Sequence, residues 1–293
     1  MGTLVLIGLV NGLVVGGVYA LIGLSLTLLY GVLRIVNFAH GEFVIGGSFL
    51  AYVLFNSMGV PPLLALPVAA VAFFVAGWGA YYVLIPRLSR SDDPEIMSFL
   101  MMYGLSIALA AFMLLLFEAD SRSIDYVFTP ISVRLGPIYI STARLIAFAV
   151  TVAIALALSW FLFLTLPGKA LRAAIMNRDA IQILGVDVVK LSAFAFALAS
   201  AIAGVTGVLV ALVFPAFNPF SGTDYSIIGF IVVVLGGLGN PVGALLAGIL
   251  YGLAEQLSTV FLPQALAQIV GFIILVGTIL VRPTGLLGRR AQR

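Results

Sequence analysis

Long apolar runs separated by short polar gaps make up almost the whole chain. Five precede residue 167, at 4–33, 41–57, 62–86, 96–117 and 144–166, and 191–213, 225–256 and 264–281 follow residue 190. About 20 apolar residues in a helix cross the hydrocarbon core of a bilayer, so the run lengths predict membrane spans. The 225–256 run is too long for one helix, and "GGLGNPVG" at 236–243 interrupts it. A glycine-rich turn followed by Pro241 ends one helix and starts the next. The pattern predicts an all-α polytopic membrane protein of about nine transmembrane helices, two of them short. Eight is the alternative if 225–256 is one bent element.

Composition removes the soluble alternatives. The chain is 63% hydrophobic and 9% charged, whereas soluble domains are about 45–50% apolar and about 25% charged. Its mean hydropathy is +1.24, so lipid must be the solvent for most of it. The net charge of +3 comes without any Lys/Arg cluster interleaved with aromatic residues, which excludes nucleic acid as a partner. The absence of cysteine excludes disulfides and thiolate metal sites. His40 is the only histidine, so there is no His-pair metal site and little from which to build a Ser-His-Asp triad. No catalytic residue, cofactor or metal is expected. The opening "MGTLVLIGLV" lacks a basic leader and a small-residue cleavage site, and reads as the start of a retained span.

Charge orients the spans. With the N-terminus outside, nine spans place Arg34, Arg87, Arg90, Lys169, Arg172, Arg178, Lys190, Arg282, Arg289, Arg290 and Arg293 in the cytoplasm, 11 of the 14 basic residues. Arg122, Arg134 and Arg144 fall outside, in the 118–143 loop or at its edge. The positive-inside rule favours this assignment over its inverse, with the C-terminus cytoplasmic. Gly8, Gly12, Gly16 and Ala20 share one helix face by their spacing of four. Such faces let backbones approach closely in lipid, and packing within the bundle is the expected use.

One polar segment stands out, "GKALRAAIMNRDAIQILGVD" at 168–187, which this orientation makes cytoplasmic. Read as a helix from Ala170, it sets Ala170, Ala173, Ala174, Ile181 and Leu184 along one side, with Ala180 beside them. Arg172, Arg178, Asp179 and Gln182 gather opposite, with Leu171 and Ile175 intruding, and Gly185 supplies a helix stop. The alanines make a shallow face, suited to docking in a groove. A solvated connecting helix and a helix lying on anionic lipid are the other readings.

The segment resembles the cytoplasmic coupling loop (the EAA-type loop) of ABC importer permeases. In the branched-chain amino-acid branch that loop reads approximately G-x-A-x-R-A and then A-x-x-x-G-[IV]. Gly168, Ala170, Arg172, Ala173, Ala180 or Ile181, Gly185 and Val186 supply the match, without the Glu-Ala-Ala opening. "LTLLYGVLRIVNFAHGEFVIGGSFLAY" (26–52), "VVVLGGLGNPVGALLAGILYG" (232–252) and the ending "RPTGLLGRR" (282–290) are similar to signatures of the LivH-type branched-chain amino-acid permease. The similarity covers essentially the whole chain. It implies a single permease domain with the vitamin-B12-importer type (type II) of architecture. In that layout 4–117 is a first helix block, 118–143 an extracytoplasmic loop, 167–190 the coupling loop, 191–281 a second block and 282–293 a cytoplasmic tail. The coupling candidates are then Gly168, Ala170, Arg172, Ala173, Ala174, Arg178, Asp179, Ala180 and Gly185. The implied partners are two cytoplasmic ABC ATPases, a second and non-identical permease, and an extracytoplasmic solute-binding protein, all at a bacterial inner membrane. Branched-chain amino acids are the default cargo, with urea, amides and other amino acids as alternatives.

Polar groups inside the apolar runs are few: Asn11, Asn37, His40, Glu42, Asn218, Asp224, Asn240, Glu255 and Gln256. Ionisable residues within a membrane are functional candidates. "RIVNFAHGE" (34–42) concentrates three of them, and Gly41 would let a second helix begin inside the membrane with its unpaired N–H groups free. Asn37, His40 and Glu42 are pathway candidates, although His40 could equally be a hydrogen-bonding residue that fixes its loop. Asn218 joins them because "NPFSG" (218–222) echoes "NFAHG" (37–41), and both follow the first span of a four-span block. Opposed orientation of the two blocks would make an inverted repeat. Arg122, Asp125 and Arg134 are the candidates for a binding-protein docking face. "GGLGNPVGA" (236–244) lacks the G-x-x-x-x-G-K-[ST] pattern, as does the rest of the chain, so ATP must be hydrolysed elsewhere. An ion-coupled secondary transporter is the alternative function, with Glu42 as its best carboxylate; an intramembrane enzyme lacks the residues.

Overall fold

The structure, a computed structural model, describes residues 1–88, 93–126, 132–136, 138–282 and 284–288. Arg90, Arg289, Arg290 and Arg293, counted above with the cytoplasmic charges, lie outside the described residues. The helices are α1 (Gly2–Leu33), α2 (His40–Met58), α3 (Pro62–Leu88), α4 (Pro94–Phe117), α5 (Thr142–Leu164), α6 (Leu166–Met176), α7 (Arg178–Ile183), α8 (Val188–Val213), α9 (Ser221–Gly236), α10 (Pro241–Ser258) and α11 (Gln264–Val281). The protein is an all-helical polytopic membrane protein in its spans. One departure is an antiparallel hairpin in the 118–143 loop, β1 (Ser132–Leu135) and β2 (Ile138–Ser141), paired from Ser132↔Ser141 to Leu135↔Ile138. Gly136, at φ 61°, turns it.

Among the described residues, five helices are long and apolar enough to cross a membrane: Gly2–Leu33, Pro62–Leu88, Ile96–Phe117, Thr142–Leu164 and Val188–Val213. A sixth span arises if α9 and α10, bent by 119° across 237–240, count as one. The remaining expected spans correspond to α2, which opens on the polar His40-Gly41-Glu42, and to the shorter apolar helix Ile269–Val281 within α11.

α1 and α8 form the centre. α1 packs chiefly on α10, and α8 chiefly on α3 and α2. The small-residue face does what its spacing predicts. Gly12 and Gly16 meet the backbone of Gly252, Leu253, Gly248 and Ile249, and a Cβ at Gly248 or Gly252 would strike the backbone of Ala20 or Gly16. α2 sinks into α8 the same way: a Cβ on Gly47 would meet the Gly204 carbonyl, one on Gly207 would meet that of Val44, and Ser48 Oγ donates to Gly207 O at 2.7 Å. In lipid these close approaches supply dispersion contacts that large side chains would prevent.

The connections gather at two opposite ends. At one, the 237–240 turn packs on Gly31 and Ile175, and the 284–288 tail bonds back to it through Leu286 N–H to Leu235 O at 2.8 Å. At the other, Arg122 and Phe217 exchange backbone hydrogen bonds of 2.8 and 3.0 Å, and Arg144 reaches Asn11 Oδ1 and Val213 O. Arg34, Lys169, Arg172, Arg178, Lys190 and Arg282 lie towards the first end, and Arg122, Arg134 and Arg144 towards the second.

Candidate functional site

Two short helices start inside the bundle. After α1, Arg34 takes the left-handed φ of 58° and its N–H bonds Tyr30 O at 2.8 Å, which reverses the chain. Residues 35–39 climb back, so that His40 Nε2 lies 2.8 Å from Ser25 Oγ. Ser25 is about two helical turns, roughly 12 Å, short of the end of α1. Ser25 Oγ in turn donates to Ile22 O at 2.9 Å. His40 thus ties its loop to α1, the second of the two roles weighed for it.

The 214–220 loop enters from the opposite end and starts α9 beside the start of α2. Ser226 Oγ accepts from the Gly41 N–H at 2.8 Å and donates to Phe38 O at 2.7 Å. Gly41 and Gly222 lie in direct contact, where a Cβ on Gly41 would strike the Gly222 carbonyl and one on Gly222 the Glu42 carboxylate. The two loops also share their wiring. Asn37 Oδ1 accepts from Ala39 N–H and Asn218 Oδ1 from Phe220 N–H, both at 3.0 Å. Three residues after each asparagine a helix begins.

Glu42 is the buried ionisable group in the first turn of α2, only 2% exposed. Its Oε1 accepts from Ser106 Oγ on α4 at 3.3 Å, and its Oε2 has no hydrogen-bond partner among the described residues. Two cavities, of about 470 and 430 Å³, open on either side of α4 and both reach Glu42. Of the other pathway candidates, Asn37 is fully buried as a turn-former, and Asn218 caps its own loop away from either cavity wall. Sequence reasoning missed Ser106 and Ser226. A hydroxyl inside an apolar run is their only signal. It did name Glu255 among the few polar groups of the apolar runs. The structure buries Glu255, with the Tyr19 hydroxyl donating to it beside Tyr251.

The cytoplasmic-type segment differs from the single helix expected. Asn177 is extended, at φ −156°, and its Oδ1 accepts from the Asp179 and Ala180 N–H groups, which breaks the segment into α6 and α7. A short polar side chain that caps a backbone competes with helix interior. Gly185 is the stop expected: at φ 81° it closes α7, with Val186 N–H to Ile181 O and Gly185 N–H to Gln182 O. The face assignment needs correction. Gly168, Leu171, Ala174 and Ile181 are buried against the bundle, Ala170 and Ala173 are half-buried, and Ala180 and Leu184 are exposed. Gly168 rests on the Phe161 carbonyl, where no side chain fits. Arg172 Nε donates to Leu162 O at 2.9 Å with its guanidinium 4.3 Å from the Phe163 ring, and Arg178 reaches Ser192 Oγ. Both arginines therefore tie the segment to its own bundle, and Asp179 is exposed. Asp187 caps α8. Its bond from the Lys190 N–H, helped by the Lys190 ammonium at 3.2 Å, holds its carboxyl below the usual range.

Apolar spans that bury polar groups, with two helices that start inside the bundle, suit a membrane permease. The family described as "Branched-chain amino acid transport system / permease component" matches residues 8–279, and the chain belongs to it. It is 30% identical to the high-affinity branched-chain amino acid transport system permease protein BraD of Pseudomonas aeruginosa, over 96% of this chain and 95% of that one. Against LivH of Escherichia coli, named likewise, identity is 29% over 95% and 94%. A probable permease of the LivM type from Methanocaldococcus jannaschii is 33% identical over 32% of this chain and 28% of its own. No solved structure matches.

Proposed function

We propose that this chain is a membrane subunit of an ABC importer that moves branched-chain amino acids, or related small amides, by alternating access. Its relatives are transport permeases by name, and the similarity to a LivM-type chain supports a second, non-identical permease beside it. Two cytoplasmic ATPases and an extracytoplasmic binding protein complete the assembly. The N-terminus is outside and the C-terminus cytoplasmic. Nine spans fall in two inverted blocks, α1–α4 and α8–α11. The reciprocal packing of α1 on α10 and α3 on α8, and the matched Asn37 and Asn218 loops, support that arrangement.

The observation that carries the ATP-driven reading is the outer face of α6 and α7. Met176, Ile183 and Leu184 are 71, 86 and 80% exposed at the basic end of the bundle. Large apolar side chains there mark a surface that a partner covers. The chain has no phosphate-binding loop, so that partner supplies the hydrolysis. The receiving residues are then these three with Ala180, while the buried Ala174 only props the segment. Ile183→Glu with Leu184→Glu should leave membrane insertion intact and abolish co-purification of the ATPases and ATP-dependent L-leucine uptake. Undiminished uptake by that variant would return the segment to a plain linker.

A further inference from the structure

α9 carries one outward stripe. Thr223, Asp224 and Ile227 are exposed, the N-cap Phe220 is 59% exposed, and Phe230 and Val234 are half-buried. Their spacing from Phe220 puts all six along one side of the helix, and apart from Ser221 the rest of α9 is buried. α4 stands across a cavity of about 470 Å³ from this stripe, and its Tyr103 and Ile107, which line that cavity, are exposed as well.

The stripe carries charge deep into the membrane. Asp224 lies about 18 Å along α9 from the end at Gly236. That end adjoins the 237–240 turn, which packs on Gly31 near the end of α1. About 18 Å from one edge of a hydrocarbon core about 30 Å thick is close to its middle. Asp224 has no hydrogen-bond or ion-pair partner among the described residues. Nearby, the Glu42 carboxylate packs on Gly222 and leaves Oε2 unmet. The helices packed on α9, which are α1, α2, α10 and α11, contain no Lys or Arg, and neither does α4. Acyl chains cannot answer a carboxylate at that depth. The missing cation must come from another chain that itself spans the membrane.

A second copy of this chain is the wrong occupant. Copies related by a two-fold axis present the same patch to each other, which would bring the acidic stripe against itself. We propose that the α9 stripe, with the adjoining side of α4, is the face on which the second, non-identical permease packs, and that this partner offers Asp224 a basic side chain. This rests on the assembly proposed above, and adds where the partner sits and what it carries.

The test uses the assembled transporter, with this chain, its LivM-type permease and the ATPases expressed together. A benzophenone amino acid in place of Phe220 or Ile227 should crosslink to the second permease on illumination. The same group in place of Leu156, 65% exposed on α5, should not. Crosslinks from positions 220 and 227 to lipid alone or to another copy of this chain overturn the proposal, as does equal crosslinking from position 156. Asp224→Leu suits lipid better than the native carboxylate. It should nonetheless cut recovery of the second permease about tenfold, with the amount of this chain in the membrane unchanged. Recovery equal to wild type would show that no partner group meets the carboxylate, and overturns the proposal too. Should Asp224→Leu not reach the membrane, the crosslinking positions decide. A wild-type chain that co-purifies with no second permease sinks the assembly reading instead.

Discussion

At the scale of residues, the junction of α2 and α9 depends on groups of very small size. Ser226 satisfies the Gly41 N–H and the Phe38 carbonyl at once. Ser226→Ala orphans both in a dry place, which should cost about 1–3 kcal/mol. The expected outcome is a lower melting temperature in detergent with the fold retained. A melting temperature equal to wild type would show that neither bond matters. The sequence made His40 and Glu42 conspicuous because ionisable groups are rare in an apolar run. It could not do so for Ser226 or Ser106, since serine inside a span is cheap and has no characteristic spacing. Nor could it separate the roles of Asn37 and Glu42, which depend on which atoms find partners.

At the scale of elements, small-residue spacing was read correctly along α1, and the partner face on α10 repeats it with Gly248 and Gly252. Gly252→Val would force its side chain into the Gly16 backbone. Loss of that close contact should destabilise the bundle by about 1–3 kcal/mol, seen as a lower yield of monodisperse protein and earlier thermal unfolding. Unchanged thermal stability would mean that α1 and α10 can separate without cost. The α6–α7 segment shows where periodicity fails. Offsets from Ala170 assumed one continuous helix, but the Asn177 cap resets the helical phase. Ala180 and Leu184 then point away from Ala174. The Met176–Asn177–Arg178 sequence contains the signal, an asparagine followed by charged first-turn residues, and it competes with the continuous alanine pattern around it.

At the scale of the whole molecule, sidedness is testable because the chain contains no cysteine. Ser123→Cys, in the loop before the β hairpin, and Gln182→Cys, in α7, each create a unique label site; both positions are exposed. A membrane-impermeant maleimide should label Ser123→Cys in cells whose inner membrane is intact, and Gln182→Cys only after that membrane is opened. The reverse pattern would invert the topology argued from charge. The inverted arrangement proposed for the two blocks rests, in the sequence, on the faint likeness of "NFAHG" and "NPFSG". The tertiary contact between Gly41 and Gly222 gives that likeness its weight, because it puts the two fragments face to face in the middle of the bundle.

By itself the sequence determined that this protein lives in lipid, how its charge divides between two ends, where the polar interruptions fall and which family it resembles. Each of these depends on local composition or on ordered motifs, and both are written along one dimension. Only the tertiary structure decided that two helices start inside the bundle. It alone left Glu42 Oε2 without a partner among the described residues, between two cavities, and turned Met176, Ile183 and Leu184 outward with Ala180 while burying Ala174. Those facts depend on which distant backbones approach within a few ångströms. In a chain so uniformly apolar, hydrophobic periodicity says little about which face meets another helix and which meets lipid.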